Sequence, residues 1–171
     1  MDEAKFITLD NCLTILIYTD RSKSTNHMEL FTFYGGNYSS YIDYNGKKRN
    51  IKEGSAHLLE HYVCENTVSG DLLDNLRKYN VLSCNAGTSA FNTSYFFNTV
   101  CNFYECLDTF LDGIYNVSFT NEKLNKTKYA VLNEIRDSQN NEGRRIADIR
   151  DRTLFSNCMD NLGSEDSINS I

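Results

Sequence analysis

Alternating apolar and polar positions in the first third of the chain predict short β-strands. Residues 6–9 and 13–18 are rich in β-branched side chains and flank the turn pair at 10–11, which is typical of a β-hairpin. Residues 28–34 alternate well enough to predict a third strand. Residues 35–54 are rich in Gly, Asn, Ser and Lys without a clear period, so we expect a loop there.

Beyond this loop, apolar residues recur mainly with helical spacing. Two strands interrupt the helices, at about residues 81–89 and 93–100. The predicted helices cover residues 53–67, 71–79, 103–114, 121–138, 143–157 and 165–171. This order predicts an α+β fold, in which an antiparallel or mixed sheet is layered against helices.

The length of 171 residues, 40% of them hydrophobic, fits one domain over residues 1–171. The last predicted helix runs to Ile171, and no segment after it returns to the sheet. We therefore expect the domain to be truncated after Ile171.

Charge and apolar run lengths exclude several functional classes. A net charge of −6 and a pI near 5.0 disfavour nucleic acid as a partner, because binding phosphate requires clustered Lys and Arg. No run approaches the roughly 18 apolar residues of a membrane span, and no basic region precedes an apolar run at the N-terminus. The six cysteines form no C-x-x-C pair, which predicts reduced thiols and a cytoplasmic location.

The run His57-Leu58-Leu59-Glu60-His61 contains two of the three histidines in the chain. On a helix this spacing puts two imidazoles and a carboxylate on one face. Neutral imidazoles suit zinc, and Glu60 lies too far round the helix to join them easily, so it is free to handle protons. H-x-x-E-H is known as the inverse of the H-E-x-x-H zinc peptidase pattern.

Two plainer interpretations of this run remain. In the first, Ala56, Leu59 and Val63 face the core of an amphipathic helix, and the histidines are incidental surface residues. In the second, the zinc is structural. Structural sites usually close with four Cys or His ligands, and no suitably spaced Cys pair accompanies these histidines.

A catalytic zinc usually needs a third protein ligand. Glu65 is one turn beyond His61, but it lies about 12 Å along the axis from His57, too far for three groups of one helix to converge. Cys64 could ligate in principle, although a free Cys beside apolar residues more often packs in the core. Glu134 interrupts an apolar stretch, where a carboxylate needs a partner, yet an exposed Glu is also ordinary on a helix.

Segments around and beyond the H-x-x-E-H run resemble the pitrilysin/insulinase family of zinc metallopeptidases, the inverzincins. The resemblance rests on residues 53–61, on Val131-Leu132-Asn133-Glu134-Ile135, on Asn85-Ala86-Gly87-Thr88-Ser89 and on residues 162–168. It covers about residues 5–171 and is greatest to bacterial insulinase-type peptidases, some of which occur as paired gene products.

The resemblance implies an N-terminal catalytic domain with one Zn²⁺ per chain. Its ligands would be His57, His61 and Glu134, because the family's third ligand follows the second histidine by about the same interval. Glu60 would act as the general base of a metalloendopeptidase. A peptide substrate would add as an extra strand beside Asn85 and Ala86.

The family also suggests other partners and an alternative function. A second insulinase-type domain or a partner chain would complete the assembly, and the alternative is a noncatalytic or half-active partner subunit. The sequence departs from the family at Thr127, seven residues before Glu134, where a glutamate commonly helps to orient the ligands. Loss of such a group lowers metal affinity or activity about ten- to a hundred-fold, so we expect a weakened site.

Overall fold

The computed structural model describes residues 3–155 and 162–171, which form seven strands and six helices. The strands are β1 (Glu3–Thr8), β2 (Thr14–Thr19), β3 (Asn26–Thr32), β4 (Ser40–Ile42), β5 (Lys48–Asn50), β6 (Ser83–Thr88) and β7 (Thr93–Thr99). The helices are α1 (Ser55–Glu65), α2 (Leu72–Arg77), α3 (Phe103–Tyr115), α4 (Asn121–Gln139), α5 (Glu142–Leu154) and α6 (Glu165–Asn169). All strand pairs are antiparallel, which confirms the α+β prediction.

The central sheet has the order β3-β7-β6, with helices against one face. Strand β7 alternates strictly, so that Thr93, Tyr95, Thr99 and the fully buried Phe97 point towards the helices. This period of two is what the pleat of a half-buried strand requires. Strands β1 and β2 form a separate hairpin, as predicted.

Helix α1 lies between two clusters of buried apolar residues. The first joins α1, α2, α3 and the sheet through Cys64, Leu72, Leu76, Tyr95, Phe97, Cys106 and Phe110. The second joins α1, α4 and α6 through Leu58, Val131, Leu132, Ile135, Leu162 and Ile168. Because α1 contributes to both clusters, its position is fixed from two sides.

The predicted loop over residues 35–54 is wrong in part, because it contains the hairpin β4–β5. Asp43 organises its turn: Oδ1 accepts hydrogen bonds from the backbone N–H groups of Asn45 and Lys47, and Oδ2 accepts one from Arg49. Most side chains of the two strands are exposed, so no apolar alternation marks them. The end of the predicted helix over residues 143–157 lies outside the described residues.

Two glycines make a close backbone contact where α1 begins. Gly54 and Gly163 both have φ of 79°, and a Cβ on Gly163 would lie 2.8 Å from the Cα of Gly54. Ser167 Oγ also donates a hydrogen bond to the backbone O of Glu53. These contacts attach the segment before α6 to the start of the helix that carries the H-x-x-E-H run.

Two predictions concern the whole chain. Among the helices described, none is long and apolar enough to cross a bilayer. Five cysteines lie within the described residues and form no disulfide there, and Cys158 lies outside those residues.

Candidate metal centre

Helix α1 points both of its histidines towards α4. His57 is buried, with 5% of its surface exposed, and His61 is partly buried. Their rings meet edge to face, with the two Nε2 atoms 3.2 Å apart. This proximity follows from the i, i+4 spacing on a regular helix.

Helix α4 brings Glu134 to the same point. Its Oε2 lies 3.1 Å from Nε2 of His61 and 3.4 Å from Nε2 of His57. Apolar packing between α1 and α4 aligns the two helices. Hydrogen bonding to His57 and then to His61 holds the pKa of Glu134 well below its usual range, and the hydrogen bond to Glu134 raises the pKa of His61.

The three atoms facing one another fit a zinc ion. They form a triangle with edges of 3.1 to 3.4 Å. A tetrahedral ion held at about 2.0 to 2.2 Å sets its ligand atoms about 3.3 to 3.6 Å apart, close to these edges, and two nitrogens with one oxygen are a donor set typical of zinc. Within the described part of the chain, this is the one group of three His, Cys, Asp or Glu side chains close enough to share an ion.

Glu60 is also buried but belongs to a different set of contacts. Its Oε2 accepts a 2.7 Å hydrogen bond from Oγ1 of Thr88 on β6. Thr93, opposite Thr88 on β7, has its Oγ1 3.3 Å from that hydroxyl and donates to the backbone O of Tyr34. The sheet therefore orients the carboxylate of Glu60 next to the histidines, without making it part of the group of three.

Asn85 and Ala86 lie on β6, an edge strand of the central sheet. They pair with Phe96 and Tyr95 of β7, and no described strand pairs with the other side of β6. The same strand continues to Thr88, which contacts Glu60. The open edge thus leads to the carboxylate of Glu60, beside the candidate metal centre.

The structure decides between the interpretations of α1. Incidental histidines are excluded, because His57 is buried whereas Leu59 is 40% exposed. Ala56 and Val63 do pack inwards as that interpretation required. Cys64 packs in the first core cluster, where burial raises the pKa of its thiol, so packing rather than ligation accounts for it.

Two features of the site were missed by the sequence. Thr88 lies in the segment that resembles the insulinase family, but nothing in the sequence assigns it to Glu60. Glu65 does not reach the group of three, as expected; its Oε1 instead lies 3.5 Å from Nδ1 of His61. The i, i+4 spacing of His61 and Glu65 was the available signal.

Comparison with known proteins agrees with this geometry. The family model described as Insulinase (Peptidase family M16) matches residues 47–164, which include His57, His61 and Glu134. The chain belongs to the insulinase family. A relative in Bacillus subtilis (strain 168), described as the uncharacterized zinc protease YmfH, is 26% identical over 140 residues. That match covers 81% of this chain and 32% of the relative.

Solved structures share the fold of this insulinase-family chain. An M16-like peptidase from Alicyclobacillus acidocaldarius matches with a TM-score of 0.89 at 22% identity, over 99% of this chain and 40% of its own. A protease from Helicobacter pylori matches with a TM-score of 0.77 at 17% identity, over 100% of this chain and 41% of its own. Pitrilysin matches with a TM-score of 0.74 at 18% identity, over 98% of this chain and 18% of its own. This chain thus spans well under half of each of these proteins.

Proposed function

We propose that this chain is the metal-bearing domain of a zinc-dependent metalloendopeptidase. The observation that carries the proposal is the convergence of His57, His61 and Glu134 to within 3.4 Å of one another, beside the buried carboxylate of Glu60. Membership of the insulinase family and the zinc protease description of the B. subtilis relative support zinc as the metal.

The three ligands would hold one Zn²⁺ per chain through two neutral imidazoles and one carboxylate. Bound zinc in such sites supplies Lewis-acid chemistry and lowers the pKa of coordinated water. The low pKa of Glu134 keeps this side chain ionised and ready to bind a cation. Proximity to the same carboxylate would favour a fixed orientation of both imidazoles.

Glu60 is proposed as the general base. Its carboxylate would accept a proton from the attacking water and later deliver it to the amine that leaves. The hydrogen bond from Thr88 holds Oε2, which leaves Oε1 for the proton. Burial at 8% exposure keeps this group away from bulk water, where its hydrogen bonds would be exchanged.

The substrate proposal is a peptide that adds as a strand to β6. Main-chain groups of Asn85 and Ala86 would bind it, so that backbone hydrogen bonds give affinity with little dependence on sequence. The outer side of β6 has no partner among the described strands, and β6 leads to Thr88 and Glu60.

Metal analysis is the first test of the proposal. The purified chain should contain one equivalent of zinc, and His61→Ala or Glu134→Ala should lose it, whereas Glu60→Gln should retain it. Glu122→Gln, an exposed position on α4, is the matched control and should bind zinc like the wild type. A wild-type chain that takes up no zinc would overturn the assignment of the site.

Hydrolysis of a fluorogenic peptide library is the second test. Glu60→Gln should reduce kcat by a factor of about 10² to 10⁴, the usual contribution of a general base. Equal rates for Glu60→Gln and the wild type would show that another group is the base.

A half-active or noncatalytic partner subunit is the second candidate. The observation in its favour is Thr127, which occupies a position where the family commonly has a glutamate that helps to orient the ligands. Titrating a companion insulinase-type half into the peptide assay distinguishes the candidates. Cleavage that appears only in the mixture indicates a half-active subunit, and cleavage by the chain alone excludes it. A cytoplasmic location stays a prediction.

A further inference from the structure

The second ring nitrogen of His61 faces a carboxylate that takes no part in the group of three. Nε2 of His61 faces Glu134 and His57, whereas Nδ1 lies 3.5 Å from Oε1 of Glu65. This separation is longer than an ordinary hydrogen bond, so the contact in this structure is electrostatic. His61 is therefore placed between two carboxylates, one on each side of its ring.

Glu65 is itself held from the opposite helix. Its Oε2 accepts a 3.0 Å hydrogen bond from Oγ1 of Thr127 on α4, and Thr127 is fully buried. The same Oγ1 accepts a 3.1 Å hydrogen bond from Nδ2 of Asn66, which also donates to the backbone O of Tyr62. The donor direction along this chain of groups is thus fixed, from Asn66 to Thr127 and from Thr127 to Glu65.

The hydrogen bond from Thr127 determines which oxygen of Glu65 faces the ring of His61. With Oε2 occupied by the Thr127 hydroxyl, Oε1 is the oxygen that is turned to Nδ1 of His61. A carboxylate there favours the tautomer that carries its proton on Nδ1 and leaves the lone pair on Nε2. Nε2 is the atom that points at the metal centre. Metal-binding histidines commonly donate their other N–H to a carboxylate, which orients the ring.

We propose that Glu65, held by Thr127, is the positioning residue that orients His61 for zinc. The sequence departs from the family at Thr127, and this departure predicted a weakened site. In our proposal, Thr127 does not supply a carboxylate from α4 but holds the carboxylate of Glu65, which comes from α1. A glutamate at position 127 would instead bring a second negative charge against Glu65. This inference rests on the proposed zinc site and goes beyond it by assigning two residues outside the ligand set.

Zinc affinity measured by competition with a chelator tests the inference on the purified chain. Glu65→Gln keeps the size of the side chain and removes its charge, so zinc should bind about 10- to 100-fold more weakly. Thr127→Val removes the hydroxyl that holds Glu65 and should weaken zinc binding by a smaller factor. Glu122→Gln, exposed on α4, is the matched control and should leave the affinity unchanged.

Cobalt substitution separates positioning from a merely structural role. If Glu65 sets the orientation of His61, the visible absorption of the Co²⁺-loaded Glu65→Gln variant should differ from that of the wild type. Thermal unfolding of the metal-free variants should show a cooperative transition, which indicates that they are folded. If the Thr127→Val variant does not fold, the Glu65→Gln variant alone decides the result.

The outcomes distinguish this inference from the proposed function. A wild-type chain that binds zinc, together with Glu65→Gln of equal zinc affinity and identical Co²⁺ spectrum, overturns the role of Glu65 and leaves the zinc site intact. A wild-type chain that binds no zinc overturns both. Weaker binding by Glu65→Gln, with an altered spectrum and an unchanged control, supports the inference.

Discussion

The hydroxyl of Thr88 on β6 donates a 2.7 Å hydrogen bond to Oε2 of Glu60 on α1. This contact joins the edge strand of the central sheet to the proposed base. Glu60 has little exposed surface, so few water molecules can replace Thr88 as its donor. The orientation of the carboxylate therefore depends on a side chain 28 positions away in sequence.

Replacing Thr88 by Val should loosen Glu60 without disturbing the metal ligands. We expect kcat for peptide hydrolysis to fall by about 10- to 100-fold, since a lost hydrogen bond to a charged group is worth about 1.5 to 3 kcal/mol. Zinc content should not change. Thr88→Ser keeps the hydroxyl and is the control that should retain the wild-type kcat. Equal activity of Thr88→Val and Thr88→Ser would contradict the orienting role.

Zinc binding should depend on pH through His61. In the metal-free protein Glu134 raises the pKa of His61, so this imidazole carries a proton up to a higher pH than usual. Zinc binds the neutral ring, and the proton must therefore leave. Apparent zinc affinity should rise with pH as His61 loses its proton.

Titration calorimetry in two buffers of different ionisation enthalpy measures this proton release. Below the raised pKa of His61, the observed enthalpy of zinc binding should change with the buffer, and the proton released by His61 should no longer contribute well above it. An affinity that is the same at about pH 6 and about pH 8 would argue against His61 as a ligand.

Gly163→Ala should destabilise the domain through the contact with Gly54. The added Cβ would lie 2.8 Å from the Cα of Gly54 and 2.9 Å from the backbone O of Glu53, at a positive φ. We expect the free energy of unfolding to fall by about 3 kcal/mol or more, because backbone atoms cannot move away cheaply. Urea denaturation measures this change.

Gly46→Ala is the matched control for that experiment. Gly46 also has a positive φ, of 75°, but a Cβ there meets nothing within 4 Å. The free energy of unfolding should fall by only about 1 kcal/mol, because the added methyl group is disfavoured by the positive φ alone. If the two substitutions cost the same, the close approach of residues 54 and 163 contributes little to stability.

Cys64 should react with alkylating agents much more slowly than the exposed Cys12 and Cys101. Burial raises the pKa of its thiol and also shields it, and both effects reduce the reactive thiolate. Mass spectrometry of peptides after a short exposure to iodoacetamide measures the extent of alkylation of each of the three cysteines. Added zinc should not protect Cys64 further, whereas protection by zinc would indicate that it contacts the metal.

Much of the fold follows from periodicity along the chain. The alternation in β7 and the helical spacing in α3 and α4 reflect large apolar faces, such as Phe97 and Phe110 in the first core cluster. The hairpin β4–β5 buries no such face, since hydrogen bonds to Asp43 and not apolar packing define its turn. Hydrophobic patterns therefore could not reveal it.

Local spacing in the sequence predicts one part of the candidate site, whereas the other part depends on how distant helices pack. The spacing of His57 and His61 predicts their proximity because both lie on one helix. Glu134 needed the family resemblance, since its position depends on how α4 packs against α1 through residues such as Val131. The contact of Glu65 with Thr127 depends on that packing too, so the sequence could exclude Glu65 as a ligand but could not assign it a partner.

The pairing of His61 with Glu134 has a topological consequence. The two residues are 73 positions apart, and they belong to helices separated by α2, the strands β6 and β7, and α3. An ion shared by them would close a covalent-like loop around the whole first core cluster. Closing a loop of that length restricts the unfolded chain much as a disulfide would. Loading with zinc should thus stabilise β6 and β7 as well as the two helices, in a chain whose described cysteines form no cross-link.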